Sequence, residues 1–216
     1  MPEPAAPVRR PLFVVFEGGE GSGKSTQARG LHRRLQRIGL SSLVTRDPCG
    51  TEYGRAIERR LKRSKQFPPA TELFMFAAAR SLLTADVIRP ALLAGAIVIS
   101  DRYAPSSVAY QGYGRGIALG TIESLNRLAT GGIRPDLIVL LDIPPDKGLA
   151  RKQGDAWDRF HHEGLSFHDK VRKGYLEMAR AEPYCWTIVD ATLPSRTIAA
   201  LIWARVAGML SGHFPV

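Results

Sequence analysis

Residues 13–26 read FVVFEGGEGSGKST, and the fold is decided in this stretch. Phe13, Val14, Val15 and Phe16 form a short, continuous apolar run with β-branched character, the pattern of a strand buried on both faces. Gly18-Gly19-Glu20-Gly21-Ser22-Gly23-Lys24-Ser25 follows at once and fits G-x-x-x-x-G-K-[ST]. Its glycines permit backbone angles that other residues resist, so successive N–H groups can turn inward toward phosphate oxygens. The helix expected after the loop adds a partial positive charge at its N-terminus. Lys24 is expected to reach the β- and γ-phosphates of ATP, and the Ser25 hydroxyl to hold Mg²⁺. Gly18, Gly19, Glu20, Gly21, Ser22, Gly23, Lys24, Ser25 and Thr26 are thus the candidate ATP-binding residues. The motif alone does not separate kinases from GTPases or ATPase motors.

Working outward, the same alternation repeats. Strand-like runs fall at 12–16, 42–46, 96–100, 137–142 and 186–190. Helical patterns lie near 24–38, 52–63, 69–94, 121–130, 166–181 and 194–210. In the first of these Ala28, Leu31, Leu35 and Ile38 share a face, the arginines point away, and Gly39 is a stop. Alternating strands and helices predict an α/β fold, a five-stranded parallel sheet doubly wound by helices, with ligands at the carboxyl ends of the strands. Gly18–Ser25, 47–51 and Asp101-Arg102 each follow a strand, so three segments converge on one rim. A carboxylate at Asp101 can hold Mg²⁺ or its water, and the neighbouring Arg102 can clamp a phosphate. Asp142, which ends the fourth run, reads as structural or as a support behind the residues that touch the ligand.

The 216 residues suit one domain over 12–212, preceded by a disordered, Pro-rich leader at 1–11. Hydrophobic residues at 44% and charged residues at 23% exclude a disordered or membrane-spanning class. Two cysteines, Cys49 and Cys185, are too few for a disulfide framework and fit a cytoplasmic setting. The net charge of +10 raises the question of nucleic acid. Much of it lies on Arg29, Arg33, Arg34, Arg37, Arg55, Arg59, Arg60, Lys62, Arg63 and Lys65, on expected helix faces and without an aromatic platform for single strands. Neither nucleic acid nor membrane is therefore expected as a partner. His161, His162, Glu163, His168 and Asp169 lack the spacing of a metal site.

From residue 13 to residue 207 the chain resembles bacterial thymidylate kinase. The resemblance is carried by FVVFEGGEGSGKST (13–26), TRDPCGT (45–51), LFMFAAAR (73–80), DRYAPSSVAYQGYGRG (101–116), RPDLIVLLDI (134–143) and IVDAT (188–192). It implies a P-loop NTPase fold with a short lid, a homodimer, Mg²⁺, and transfer of the γ-phosphate of ATP to dTMP, giving dTDP. It further implies that Phe76 stacks on thymine and that Arg80, one helical turn on, bonds O4. The same resemblance implies that Arg102 grips the acceptor phosphate and that Ser106 and Gln111 contact the base. It implies, too, that Tyr110 crowds the sugar near C2′ and that Glu20 binds the 3′-hydroxyl.

Members of such families place a late-arriving arginine in the phosphate loop or in a mobile lid. Gly19, Gly21 and Ser22 are not basic, so the role falls to the lid, about 151–162, as Arg151 or Arg159 with Lys152 assisting. Lys24, Arg102, Arg151 and Arg159 are the candidate catalytic residues, and Ser25 and Asp101 the candidate metal ligands. Adenine contacts are expected near 190–192 and Arg151. Asp47 and Cys49 depart from the family's usual Glu and Gly, and the lid is poor in arginine. Competing readings are a kinase for another nucleotide or nucleoside, a DNA-stimulated ATPase, and a catalytically silent homologue.

Overall fold

The computed structural model describes residues 11–63, 67–152 and 163–211. Five strands form one parallel sheet: β1 (Phe13–Glu17), β2 (Ser42–Arg46), β3 (Ile97–Asp101), β4 (Leu137–Asp142) and β5 (Trp186–Asp190). Their spatial order is β2-β3-β1-β4-β5, which puts the strand carrying the glycine-rich loop at the centre. Phe16 lies opposite Asp101, the last residue of β3, so β1 and β3 end at about one level, while β4 runs three residues past its own partner, Val139.

Helices cover both faces, as an all-parallel sheet requires. Among the described residues these are α1 (Lys24–Arg37), α2 (Glu52–Arg63), α3 (Pro69–Leu83), α4 (Arg89–Leu93), α5 (Ala104–Ser107), α6 (Leu119–Thr130), α7 (Pro145–Ala150), α8 (Leu165–Ala181) and α9 (Ser195–Leu210). The period of two in β1 splits the core. Val14 and Phe16 pack with Ala28, Leu31 and Leu35 of α1 and Ile198, Ile202 and Val206 of α9. Phe13 and Val15 face the other way, onto Leu83, Tyr103, Tyr110, Phe167, Val171 and Tyr175. The second layer is rich in aromatic rings because it must also carry polar groups up to the rim.

The five strands lie where the periodicity predicts them, within a residue at the ends. The helix expected over 69–94 is interrupted: a π-helical turn, Thr84–Ile88, separates α3 from α4. A second π-helical segment, Val108–Gly114, follows α5, and α7 was also unforeseen. The wider π turn brings consecutive residues inward, so that Ala109, Tyr110, Gln111 and Gly112 are all buried. Arginine on α1 partly serves packing, with the Arg34 guanidinium 4.1 Å from the Trp203 ring centroid. Among the described residues no helix is long and apolar enough to cross a membrane.

Candidate active site

The loop between β1 and α1 has backbone angles that glycine alone takes easily. Gly18 has φ 140° and Gly21 φ 67°; a side chain at either would also run into backbone, at Leu141 and Gly148 respectively. Gly23, left-handed at φ 92°, caps α1. Lys24 Nζ donates to the carbonyls of Gly18 (2.9 Å) and Gly19 (2.7 Å) and to Ser22 Oγ (3.2 Å). Burial lowers its ammonium to about 8; Arg102 pushes the same way, while Glu20, Asp101 and Glu17 oppose it. The Ser25 hydroxyl donates to Asp101 Oδ2, and Asp101 Oδ1 is buried without a hydrogen-bond partner. A hydroxyl and a carboxylate with a spare oxygen form a donor set that suits a hard cation such as Mg²⁺.

Arg102 stands one residue beyond β3 with φ 73°, a left-handed angle costing a non-glycine residue about 1–2 kcal/mol. Its backbone is pinned, N–H to Phe16 O (2.9 Å) and C=O to Ser100 Oγ (2.7 Å). The strained angle carries the side chain across the rim. There Nη2 donates to Glu20 Oε1 (2.6 Å) and the Tyr110 hydroxyl (3.0 Å), and Tyr110 itself donates to Glu20 (2.8 Å). Nη1 makes longer contacts with Ser106 Oγ and the Tyr175 hydroxyl, both 3.3 Å.

Beneath this lies Glu17, fully buried at the end of β1. It accepts from Tyr103 N–H (2.9 Å), Ser106 Oγ (2.7 Å) and the Tyr175 hydroxyl (2.8 Å). Burial pushes its carboxyl above the ordinary value, against the pull of Arg102 and these hydrogen bonds. Sequence reasoning passed over Glu17 and Tyr175. The available signal was a carboxylate at the end of a strand otherwise wholly apolar, which demands partners.

A cavity opens beside Arg102. Glu20, Phe76, Arg80, Arg102, Ser106, Tyr110 and Gln111, the whole candidate acceptor set, line it. Arg80 is 1% exposed. Its Nε donates to Asp47 Oδ2 (2.6 Å), and Nη1 donates to Ser107 Oγ (2.9 Å) and Asn126 Oδ1 (2.7 Å). That leaves Nη2 without a hydrogen bond among the described residues. Ser107, Asn126, Glu72, and the cavity-lining pair Arg46 and Glu58 (3.4 Å) were also unforeseen. Glu72 was findable, since 72, 76 and 80 follow one another at helical spacing on α3.

The remaining candidates lie elsewhere. Arg151 Nη1 donates to Ala191 O (3.0 Å) and reaches Gly21 O (3.4 Å), outside the cavity lining and between the glycine-rich loop and the end of β5. Asp190, beside it, closes a turn by accepting from Thr192 N–H (2.8 Å). Asp142 takes a two-point ion pair from Arg172 of α8, at 2.7 and 2.8 Å. Arg159, His161, His162 and most of the 151–162 lid fall outside the described residues, as do leader residues 1–10 and the domain's last expected residue, 212. Among the described residues no group of three His, Cys, Asp or Glu could hold a metal ion.

The chain is similar to known proteins over most of its length. A family profile described as thymidylate kinase matches residues 16–202. The thymidylate kinase of Desulforudis audaxviator (strain MP104C) is 48% identical over 202 residues, covering 92% of this chain and 91% of that one. That of Dehalococcoides mccartyi (strain ATCC BAA-2266 / KCTC 15142 / 195) is 47% identical over 201 residues, covering 92% and 97%. Among solved structures, the thymidylate kinase crystal structure from Ehrlichia chaffeensis superposes with a TM-score of 0.75 at 29% identity, covering 92% of this chain and 98% of that one.

Asp47 is the buried partner of a buried guanidinium, and one of its oxygens, Oδ1, is unpartnered. Removing it leaves the Arg80 charge with neutral partners only. Asp47→Ala is expected to lower unfolding stability by about 3 kcal/mol in a denaturant titration. A loss below about 1 kcal/mol contradicts the view that this pair holds Arg80 in place.

Proposed function

The chain belongs to the thymidylate kinase family, and on that premise we propose which residues perform each part of the reaction. It is a dTMP kinase, phosphorylating dTMP to dTDP with ATP. The observation that carries the residue-level reading is the cavity itself. The Phe76 ring, the Arg80 guanidinium, the Gln111 amide and the Arg102 guanidinium line one space together with Glu20 of the glycine-rich loop.

In this reading ATP lies with its phosphates against the amides of Gly18–Thr26 and the Lys24 ammonium. The acceptor lies across the rim. Phe76 stacks on thymine, Arg80 Nη2 donates to O4, and Gln111 reads the base edge. Tyr110 crowds C2′, favouring deoxyribose, and Glu20 binds the 3′-hydroxyl. Ser106 already gives its proton to Glu17, so toward the nucleotide it can only accept. Arg102 exchanges part of its bonding to Glu20 and Tyr110 for the acceptor phosphate. Positioning two phosphates in line in a site lined by fixed cations and dipoles is most of what phosphoryl transfer needs. Ser25 and Asp101 would hold Mg²⁺, which when bound neutralises charge on the β- and γ-phosphates.

Arg151 or Arg159, with Lys152, supplies the late positive charge. The Arg151 contact with Gly21 supports its nearness to the loop. Adenine rests near 190–192. One methyl separates thymine from uracil, worth roughly 1–3 kcal/mol in an apolar pocket, so dUMP is a poor substrate and not an excluded one. A homodimer through helical faces is supported by the exposed Phe74 of α3 and Leu128 of α6. The presence of only two cysteines, Cys49 and Cys185, with no disulfide between them, supports a reducing, cytoplasmic setting.

Coupled ADP release with dTMP, dUMP, purine monophosphates and thymidine tests the acceptor; dTMP is expected to have the highest kcat/KM, and a preference for thymidine contradicts the reading. Arg102→Ala is expected to raise the dTMP KM about 10- to 100-fold, the worth of charge-assisted hydrogen bonds to phosphate. An unchanged KM removes Arg102 from the phosphate site.

Lys24 adds a pH dependence. With its ammonium at about 8, roughly half the free protein carries the neutral amine at pH 8. Bound phosphates favour the charged form, so ATP binding takes up about half a proton there, and affinity falls as pH rises further. Calorimetry in buffers of different ionisation enthalpy reads the uptake. No uptake at pH 8, with affinity flat from pH 7 to 9, contradicts the assignment.

A further inference from the structure

We propose that Glu72 is a specificity-determining residue: it fixes which end of the Gln111 amide faces the acceptor cavity, and thereby selects a base that carries a hydrogen at N3. The proposal rests on reading that cavity as the dTMP site.

A glutamine amide has a donor end and an acceptor end of nearly equal size, and rotation about its last bond exchanges them. Left free, Gln111 could present N–H to a base that accepts or C=O to a base that donates. Thymine and cytosine differ in this respect. Thymine has N–H at position 3 and an oxygen at position 4, whereas cytosine has a bare nitrogen at 3 and an amino group at 4. A reader that flips tolerates both.

In this chain it is not free to flip. Gln111 is 1% exposed, and its Nε2 donates to Glu72 Oε1 at 2.7 Å. Glu72 is equally buried, and as a carboxylate it offers only acceptor oxygens. The amide nitrogen must therefore point at Glu72 whichever way the end group is first drawn. Turning it around would set two oxygens against each other in a site closed to water. Gln111 Oε1 has no hydrogen bond among the described residues, and the side chain lines the cavity. The acceptor end is thus what the base meets, and it calls for N3–H.

Glu72 is held in turn. Arg115 Nη2 lies 3.4 Å from its Oε2 and 2.5 Å from Glu163 Oε1, with the guanidinium 4.6 Å from the Phe167 ring centroid. The carboxylate is clamped between Gln111 and Arg115 and cannot turn to follow a flipped amide. Arg80 completes the code from the same face of α3, since its free Nη2 is a donor suited to O4 and unsuited to the amino group of cytosine. One donor and one acceptor, each fixed by a buried carboxylate (Asp47 and Glu72), match the thymine edge.

The test measures kcat/KM for dTMP and dCMP on the full-length enzyme. Gln111→Ala is expected to shrink the wild-type preference for dTMP; if it does not, Gln111 does not read the base, and the placement of the base in the cavity fails. Glu72→Gln lets either end of the amide face inward and is expected to lower the dTMP/dCMP ratio about tenfold, through the KM values more than through kcat. The exchange Glu72→Gln with Gln111→Glu restores an acceptor-only reader and is expected to recover most of the ratio. A Glu72→Gln enzyme with the wild-type ratio, beside a Gln111→Ala enzyme that has lost it, overturns the proposal, as does an exchange no more selective than Glu72→Gln. A check on the wild type, independent of folding, uses 3-deaza-dUMP, which has C–H at position 3 and, as a 4-hydroxy-2-pyridone, a hydroxyl in place of the 4-oxo group. It loses the partners of both Gln111 and Arg80, so at least about tenfold poorer use than dUMP is expected, and equal use overturns the proposal.

Discussion

The structure turns on the ion pair between Arg102 and Glu20, 2.6 Å across the rim, with the buried Glu17 beneath it. Arg102 leaves β3, Glu20 belongs to the loop after β1, and Tyr175, which donates to Glu17, belongs to α8. One guanidinium therefore links the glycine-rich loop after β1, the end of the neighbouring strand β3, and α8. The cost of a left-handed angle at Arg102 is met by its two backbone hydrogen bonds, and the angle sends the side chain into the gap. Sheet order enforces the geometry. With β1 between β3 and β4, the loop after β1 and the residue after β3 have no alternative but to meet.

Two buried carboxylates share a second task. Asp47 and Glu72 stand 2% and 1% exposed, each bound to a side chain that lines the cavity. Burying such groups is costly, and their burial raises Asp47 above its ordinary value even with Arg80 beside it. What the fold gains is orientation. A guanidinium and an amide, both able to adopt several rotamers, are each reduced to one free polar end. Asp47 does this with a single oxygen, leaving Oδ1 without a partner, consistent with an acid one methylene shorter than the glutamate usual at this position.

Much of this was legible in the chain, and the division has a physical reason. Strand positions followed from continuous apolar runs of strand length, because both faces of the sheet are covered. The phosphate loop followed from glycines whose spacing has one use. The residues proposed for the acceptor followed from family resemblance, and all of them line one cavity. What sequence could not show are the supports. Arg80 is bonded to residues 33, 27 and 46 positions away, and Glu17 to Tyr175 at a separation of 158. No local period encodes such pairings. The π-helical turns at 84–88 and 108–114 were equally hidden, since an extra residue in a turn leaves no mark in a helical apolar pattern.

The most direct test is a crystal structure with dTMP and a non-hydrolysable ATP analogue bound together. The account predicts the acceptor phosphate within about 3 Å of an Arg102 guanidinium nitrogen, the thymine ring flat on Phe76, and the γ-phosphate beside Lys24. An acceptor phosphate bound away from Arg102, with the Arg102–Glu20 pair unchanged, would contradict it.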